Sequence, residues 1–497
     1  MRFLSRFFDN NSIFYFLFLS IILYLLGIRL LLNFSYNLDL DGAEFTFVHY
    51  IQQIMADKQT YMNPYEMPYS ITLYAPLYLV VVAITCKVFS LNYIFDIHEI
   101  FIVGRLFSFF FSLLGTFYIY KFSKLFLNQI RSLFIVTLYL LLLTGHSYAV
   151  RPDSMKIAFF IIYLYYYVDY FFLSKEKKSA LLSLVALFIS ISAKQDVIIY
   201  AILIQGVTLL LLKSKDIVIY GVLSFICIVS FFFFTYLISG NAALASLTIF
   251  NLQVISDYSS NYNYYVVLFN FVRLFPFLCL FVWCCFKQKN EKIMRLLCVS
   301  GLVAFLLSSF CMMRPGSYLN YTYELIVIAI FTFIFYLKNQ ENISIKNKVI
   351  ASVYFLFLLL SNAGLKVCTV NFNEENNFKE KYFSYYKMRD EILPLLSSNS
   401  IIFNPDLQYS LFLADQHVIY GHEYHLDREI HALLGLPSHS KLLSVSSAPF
   451  DELFKNGFVT HVVTQNKKSS DEVMQMYYAN YKLIQMHPLY KLYQFNH

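Results

Sequence analysis

Three carboxylates crowd into Asp39-Leu40-Asp41-Gly42-Ala43-Glu44, directly after a long apolar stretch that ends near Leu32. An ionised carboxylate within hydrogen-bond reach of a hydroxyl takes its proton as that oxygen attacks. Acids placed where a chain leaves the hydrocarbon therefore suit acid–base chemistry on something lipid-borne. A structural reading stands beside this one. Asp41 is a good N-cap and Glu44 its capping-box partner, opening a helix over 43–56 with no chemistry at all. The loop that follows is rich in proline and aromatics and ends in Tyr74-Ala75-Pro76-Leu77-Tyr78.

Three further clusters pair cations with polar groups. Arg151-Pro152-Asp153-Ser154 opens an apolar run. Proline and aspartate are ordinary helix-start residues, but Asp153 is also a second acid and Arg151 can hold an anion. Lys194-Gln195-Asp196 occupies a short turn between two apolar runs. There lysine suits a phosphate as a point charge, whereas a Lys194–Asp196 surface pair would contribute little. Arg314-Pro315-Gly316-Ser317-Tyr318-Leu319-Asn320-Tyr321 offers a guanidinium, phenols and an amide, and also reads as a tight turn with interfacial tyrosines. The histidine-rich stretch 421–431 lacks the i, i+4 histidine pair and in-register glutamate of a zincin, so a polar loop is the better reading. The chain has no phosphate-binding glycine loop, dinucleotide fingerprint or nucleophile elbow, which argues against nucleotide-driven transport.

The elements that must position these groups are membrane helices. The chain is 58% hydrophobic and 14% charged, more apolar than a soluble protein of 497 residues requires. Its 8 cysteines lie almost wholly inside apolar runs, so neither a disulfide framework nor a zinc cluster is indicated. Apolar runs fall near 13–32, 74–90, 101–120, 132–149, 154–173, 179–193, 197–212, 216–238, 264–286, 293–312, 322–337 and 349–366. The first, following Arg2 and Arg6, lacks a cleavage site and reads as a retained helix, with Arg29 near its far end placed to snorkel.

Loop charge fixes orientation. One alternating set of loops holds roughly fifteen Lys and Arg, the other about five, so the first set is cytoplasmic, with the N-terminus. Parity then requires that 74–90 not cross; an interfacial or re-entrant helix fits it. The expected architecture is a polytopic α-helical membrane protein of about eleven transmembrane helices. Every candidate residue then lies on the extracytoplasmic side. Residues 1–370 form the membrane domain, with interfacial helices in a first outer loop at 33–100, and 239–263 is a polar outer loop. From 371 to 497, short strands near 401–403, 417–420, 459–464, 482–485 and 491–495 alternate with amphipathic stretches, the rhythm of a soluble extracytoplasmic α/β domain.

In order and sidedness these elements resemble the GT-C class of integral-membrane glycosyltransferases. The nearest group comprises the bacterial lipid-linked-sugar transferases that include the aminoarabinose transferase of lipid A and the protein O-mannosyltransferases. The resemblance rests on Asp41-Gly42-Ala43-Glu44, Tyr74-Ala75-Pro76-Leu77-Tyr78, Gly104-Arg105-Leu106-Phe107-Ser108, Arg151-Pro152-Asp153, Lys194-Gln195 and Gly316-Ser317-Tyr318-Leu319-Asn320-Tyr321. The His-Pro-Pro element of the mannosyltransferases and the Trp-Trp-Asp-Tyr-Gly motif of the oligosaccharyltransferases are absent.

The resemblance implies an inverting sugar transfer from a polyprenyl-phosphate donor to an extracytoplasmic lipid, glycan or protein, in the cytoplasmic (inner) membrane. It makes Asp41 the base, with Glu44 and Asp153 orienting it or the acceptor. Lys194, Arg314 and Arg151 receive the phosphate, while Asp39, Gln195, Tyr74, Tyr318 and Asn320 line the substrate. Asp39 and Asp41 together could instead hold a divalent cation. No other cofactor and no nucleic acid is implied. The rival reading is a transporter or flippase of lipid-linked glycans.

Overall fold

The structure, a computed structural model, describes residues 11–40, 44–61, 72, 74–143, 148–250, 262–287, 291–312, 319–338, 354, 357–358, 363–404, 407–420, 454–466 and 480–496. The expectations for Asp41, Arg314, Tyr318, the histidine-rich stretch and most of the apolar run 349–366 lie outside them.

Helix α1 (Asn11–Leu32) is followed by α2 (Glu44–Met55), α3 (Leu77–Val88), α4 (Ile97–Lys124) and α5 (Gln129–Leu142). Then come α6 (Pro152–Val168, extended by a π turn to Leu173), α7 (Lys177–Ala193), α8 (Val197–Leu212), α9 (Lys215–Ala245), α10 (Tyr262–Lys287) and α11 (Lys292–Met312). A 3₁₀ turn at Leu319–Thr322 opens α12 (Tyr323–Lys338), and α13 (Ala363–Ile392) leads out of the bundle. Six stretches of the described residues are long and apolar enough to cross a membrane: Ile13–Leu32, Ile97–Lys124, Pro152–Leu173, Lys215–Thr248, Lys292–Met312 and Asn320–Lys338. The chain is an integral membrane protein.

Packing follows from which faces are apolar. Helix α12 is apolar almost all round, and Ile326 to Phe331 are all fully buried, as a helix enclosed by neighbours must be. Helix α9 instead turns Phe225, Phe233 and Ile238 outward, side chains that only hydrocarbon would solvate. Segment 74–90 forms only the 12-residue α3. That length spans about 18 Å, well short of a bilayer's hydrocarbon core. Its Tyr78, Leu79, Val82 and Cys86 are buried, while Val88 and Phe89 are exposed.

Two expectations change. The stretch 239–250, read as polar loop, is helical: α9 passes through Gly240 at φ 70° and ends in a π turn at Ser246–Phe250. Glycine alone takes that φ cheaply, and the alanines after it restart the helix. Arg29 does not snorkel. It turns into the bundle, 4% exposed, and donates to the Leu140 and Leu143 carbonyls at the end of α5.

Beyond α13 and a short helix α14 (Leu407–Phe412), the described residues form one mixed sheet of five strands: β1 (Ile401–Asn404), β2 (His417–Tyr420), β3 (His461–Gln465), β4 (Tyr481–Met486) and β5 (Tyr490–Phe495), in the order β2-β1-β3-β5-β4. β1 pairs parallel with β2 and β3, whereas β5 pairs antiparallel with β3 and β4. The strands fall within a residue or two of their expected positions. The sheet is tied to the loops at one end of the bundle. Gln52 of α2 donates to the Leu411 carbonyl (3.0 Å) and Lys58 to the Ala414 carbonyl (2.8 Å), and Tyr386 of α13 donates to the Phe95 carbonyl (2.6 Å).

Candidate active site

The acidic loop is fixed by one carboxylate. Glu44 begins α2 and is fully buried. Arg105 of α4 grips it with a two-armed hydrogen bond, Nε to Oε1 and Nη2 to Oε2, both 2.8 Å. The backbone N–H groups of Leu40 and Val150 each donate to it at 2.7 Å. Arg105 spends its remaining reach on the Ser35 and Asn37 carbonyls. Glu44 therefore joins three segments distant in sequence, the geometry of a positioning group with its lone pairs engaged. Asp39 accepts the Glu44 N–H at 3.2 Å, so Asp39 caps α2. The start of the loop is held from α13, where Glu375 accepts from the Ser35 hydroxyl and the Tyr36 N–H, each at 2.9 Å. Tyr36 stacks on His98 with centroids 3.9 Å apart.

A second cluster lies where α6, the α7–α8 turn and α12 begin. Asp153 is in the first turn of α6, where the helix dipole favours an anion. Its Oδ1 accepts from Lys194 Nζ at 2.9 Å and lies 3.4 Å from Lys156 Nζ, while Arg151 Nη1 is 3.8 Å from Oδ2. Lys156, one turn after Asp153, also meets Glu324 at 2.7 Å and Asp196 at 3.1 Å. Lys194 reaches Asp196 at 3.7 Å and lies 5.8 and 5.6 Å from the ring centres of Tyr74 and Tyr321. Burial in low dielectric is what makes such pairing necessary, because an unpaired charge there is expensive.

Of the residues singled out in the sequence, the structure thus brings together Arg151, Asp153, Lys194 and Tyr74. Gln195 lies in the same α7–α8 turn, and Asn320 is buried in the 3₁₀ turn beside Tyr321. Glu44 and Asp39 sit at the same end of the bundle, linked through Val150, the neighbour of Arg151. Among the described residues, no three His, Cys, Asp or Glu side chains converge as a metal site would require. Sequence reading missed the partners. Arg105 enters the sequence reading only within a motif, and neither Lys156 nor Glu324 stands out in it. The signals were the Asp153–Lys156 spacing, which puts both on one helix face, and an acid at the head of an otherwise apolar helix.

A helical membrane bundle with a mixed sheet mounted over the end that carries the acids defines the architecture. No family model matches the chain, and no curated protein resembles it in sequence. Among solved structures it is similar to the crystal structure of ArnT from Cupriavidus metallidurans bound to undecaprenyl phosphate, at 12% identity and a TM-score of 0.60, over 96% of this chain and 97% of that one. The apo state of the same protein matches at 12% identity and a TM-score of 0.59 over the same shares. The chain therefore shares the fold of ArnT over nearly its whole length.

Proposed function

We propose that the protein is a glycosyltransferase that moves a sugar from a polyprenyl-phosphate donor to an acceptor outside the cytoplasm, with inversion at the anomeric carbon. The observation that carries this reading is Lys194. Its ammonium is held between the Asp153 carboxylate and the rings of Tyr74 and Tyr321, so four separate stretches of chain meet there within an ArnT-type fold.

In this reading Asp41 takes the proton of the acceptor hydroxyl as its oxygen bonds to the anomeric carbon. The bond from that carbon to the phosphate oxygen breaks, and the phosphate leaves with the electron pair. Glu44, locked by Arg105, fixes the loop from which Asp41 acts. Asp153, itself braced by Lys156, holds Lys194 where negative charge grows on the phosphate, and preorganised charge of this kind lowers the barrier without moving in the reaction. Arg151 and Arg314 are assigned to the same phosphate, and Gln195, Asn320 and Tyr318 to the substrate walls.

The test is transfer of label from a polyprenyl-phosphate sugar in membranes containing Asp41→Asn protein that inserts normally. Turnover is expected to fall by about two orders of magnitude or more, the usual worth of a general base. Unchanged turnover would remove Asp41 as the base. A wild-type protein that translocates lipid-linked glycan without transferring sugar would replace the enzyme reading with a flippase.

A further inference from the structure

Charge accounting separates two groups of buried cations. In the Lys194 cluster, Arg151, Lys156 and Lys194 face Asp153, Asp196 and Glu324, and the formal charges cancel. Arg29 has no such balance. Its guanidinium is 4% exposed, its Nη2 is spent on the Leu140 and Leu143 carbonyls (2.5 and 2.9 Å), and its Nη1 is buried with no hydrogen-bond partner. Among the described residues, no carboxylate pairs with it. Arg273 of α10 approaches the same helix end through the Leu141 and Leu142 carbonyls. A helix C-terminus offers about half a negative charge, which does not neutralise even Arg29 alone.

We propose that Arg29 is the cation of an anion-binding site that takes a phosphate group at the mouth of the bundle. Guanidinium suits this, since its unused Nη1 keeps N–H donors for phosphate oxygens beside a charge that never titrates away. The phenols of Tyr139, Tyr148 and Tyr323 lie within its electrostatic reach. Arg29 is three residues from the end of α1, about 4.5 Å along the axis, which is headgroup depth. Its neighbour Ile28 packs with Leu32, Leu40, Tyr148 and Ala149, so the site adjoins the loop that carries Asp39 and Glu44. The inference deepens the transferase reading and rests on it only for naming the lipid donor as the source of the phosphate.

The experiment uses the full-length protein in phosphatidylcholine nanodiscs. Undecaprenyl phosphate, or inorganic phosphate at matched ionic strength, is titrated and bound probe is read by native mass spectrometry and thermal shift. Wild-type protein is expected to retain a phosphate probe, Arg29→Gln to weaken binding on the order of tenfold or more, and Arg29→Lys to fall between, keeping the charge without the planar donor set. Retention of the lipid alone identifies a headgroup site; retention of inorganic phosphate as well identifies a general phosphate site. Wild-type affinity in both variants overturns the proposal, as does failure of the wild type to hold either probe. Should Arg29→Gln not fold, undiminished binding by Arg29→Lys alone overturns it. A wild type that binds the lipid through Arg29 yet transfers no sugar would end the transferase reading and leave this site standing.

Discussion

Glu44 carries its charge where water does not reach, and four donors on three segments replace the hydration it has lost. Removing one partner of such a pair leaves the other uncompensated, at a cost of about 3–5 kcal/mol. Arg105→Met is accordingly expected to lower the melting temperature in detergent sharply. Arg105→Met combined with Glu44→Met should recover much of the loss, because two apolar side chains leave no buried charge. A double variant as unstable as the single one would show that the loop depends on the bonds themselves. His49 makes a different prediction on the same helix. Burial, reinforced by the nearby Lys58 charge, pushes its pKa down to about 3. The folded protein therefore holds His49 neutral where an unfolded chain, with a value near 6.5, takes up a proton. That stability is fully present above about pH 6.5 and is lost as pH falls, by about 2 kcal/mol at pH 5. His49→Leu should flatten the acid side of a melting profile taken between pH 7 and 5.

Helices α4 and α6 meet the acidic loop through one glycine. A Cβ at Gly104 would sit 2.8 Å from Val150 Cγ1, and the Gly104 carbonyl accepts from the Tyr78 hydroxyl of α3 at 2.8 Å. Val150 is also the residue whose N–H holds Glu44. Gly104→Val is expected to cost about 1–3 kcal/mol through overpacking. It should also lower transfer more than its stability loss explains, because the push is delivered to the segment that fixes the loop. Equal losses in a Gly115→Ala control would assign the effect to packing alone.

Elements such as these were legible where local pattern decides. Strands β1 to β5 announce themselves by short β-branched and aromatic runs. The pairing of Arg105 with Glu44 was not legible, since nothing local couples residues 61 apart. Glu324 was hidden for the opposite reason: one acid before a long apolar run looks like an interfacial residue until α6 is laid beside it. The helix past Gly240 was missed because polarity was read as loop, although alanine favours helix.

Across the whole molecule the charges divide between the two ends. At one end lie the acidic loop, the Lys194 cluster and the sheet. At the other, Lys338 stacks over Phe126, Arg131 donates to the Leu337 carbonyl, and Lys175, Lys177 and Lys213 stand exposed. If the basic end faces the cytoplasm, a cysteine replacing the exposed Asp57 should react with an impermeant maleimide on intact cells. One replacing Lys177 should react only after permeabilisation. The reverse pattern would invert the topology and the proposed site with it. The arrangement around Lys156 also bears on how the chain is made. Its nearest partner, Glu324, is synthesised about 170 residues later, roughly ten to thirty seconds at ordinary elongation rates. Until Asp196 emerges about 40 residues on, the nascent α6 must enter the bilayer with its lysine accompanied only by Asp153, one turn away on the same helix. That aspartate thus serves as an escort during insertion before it has any other duty.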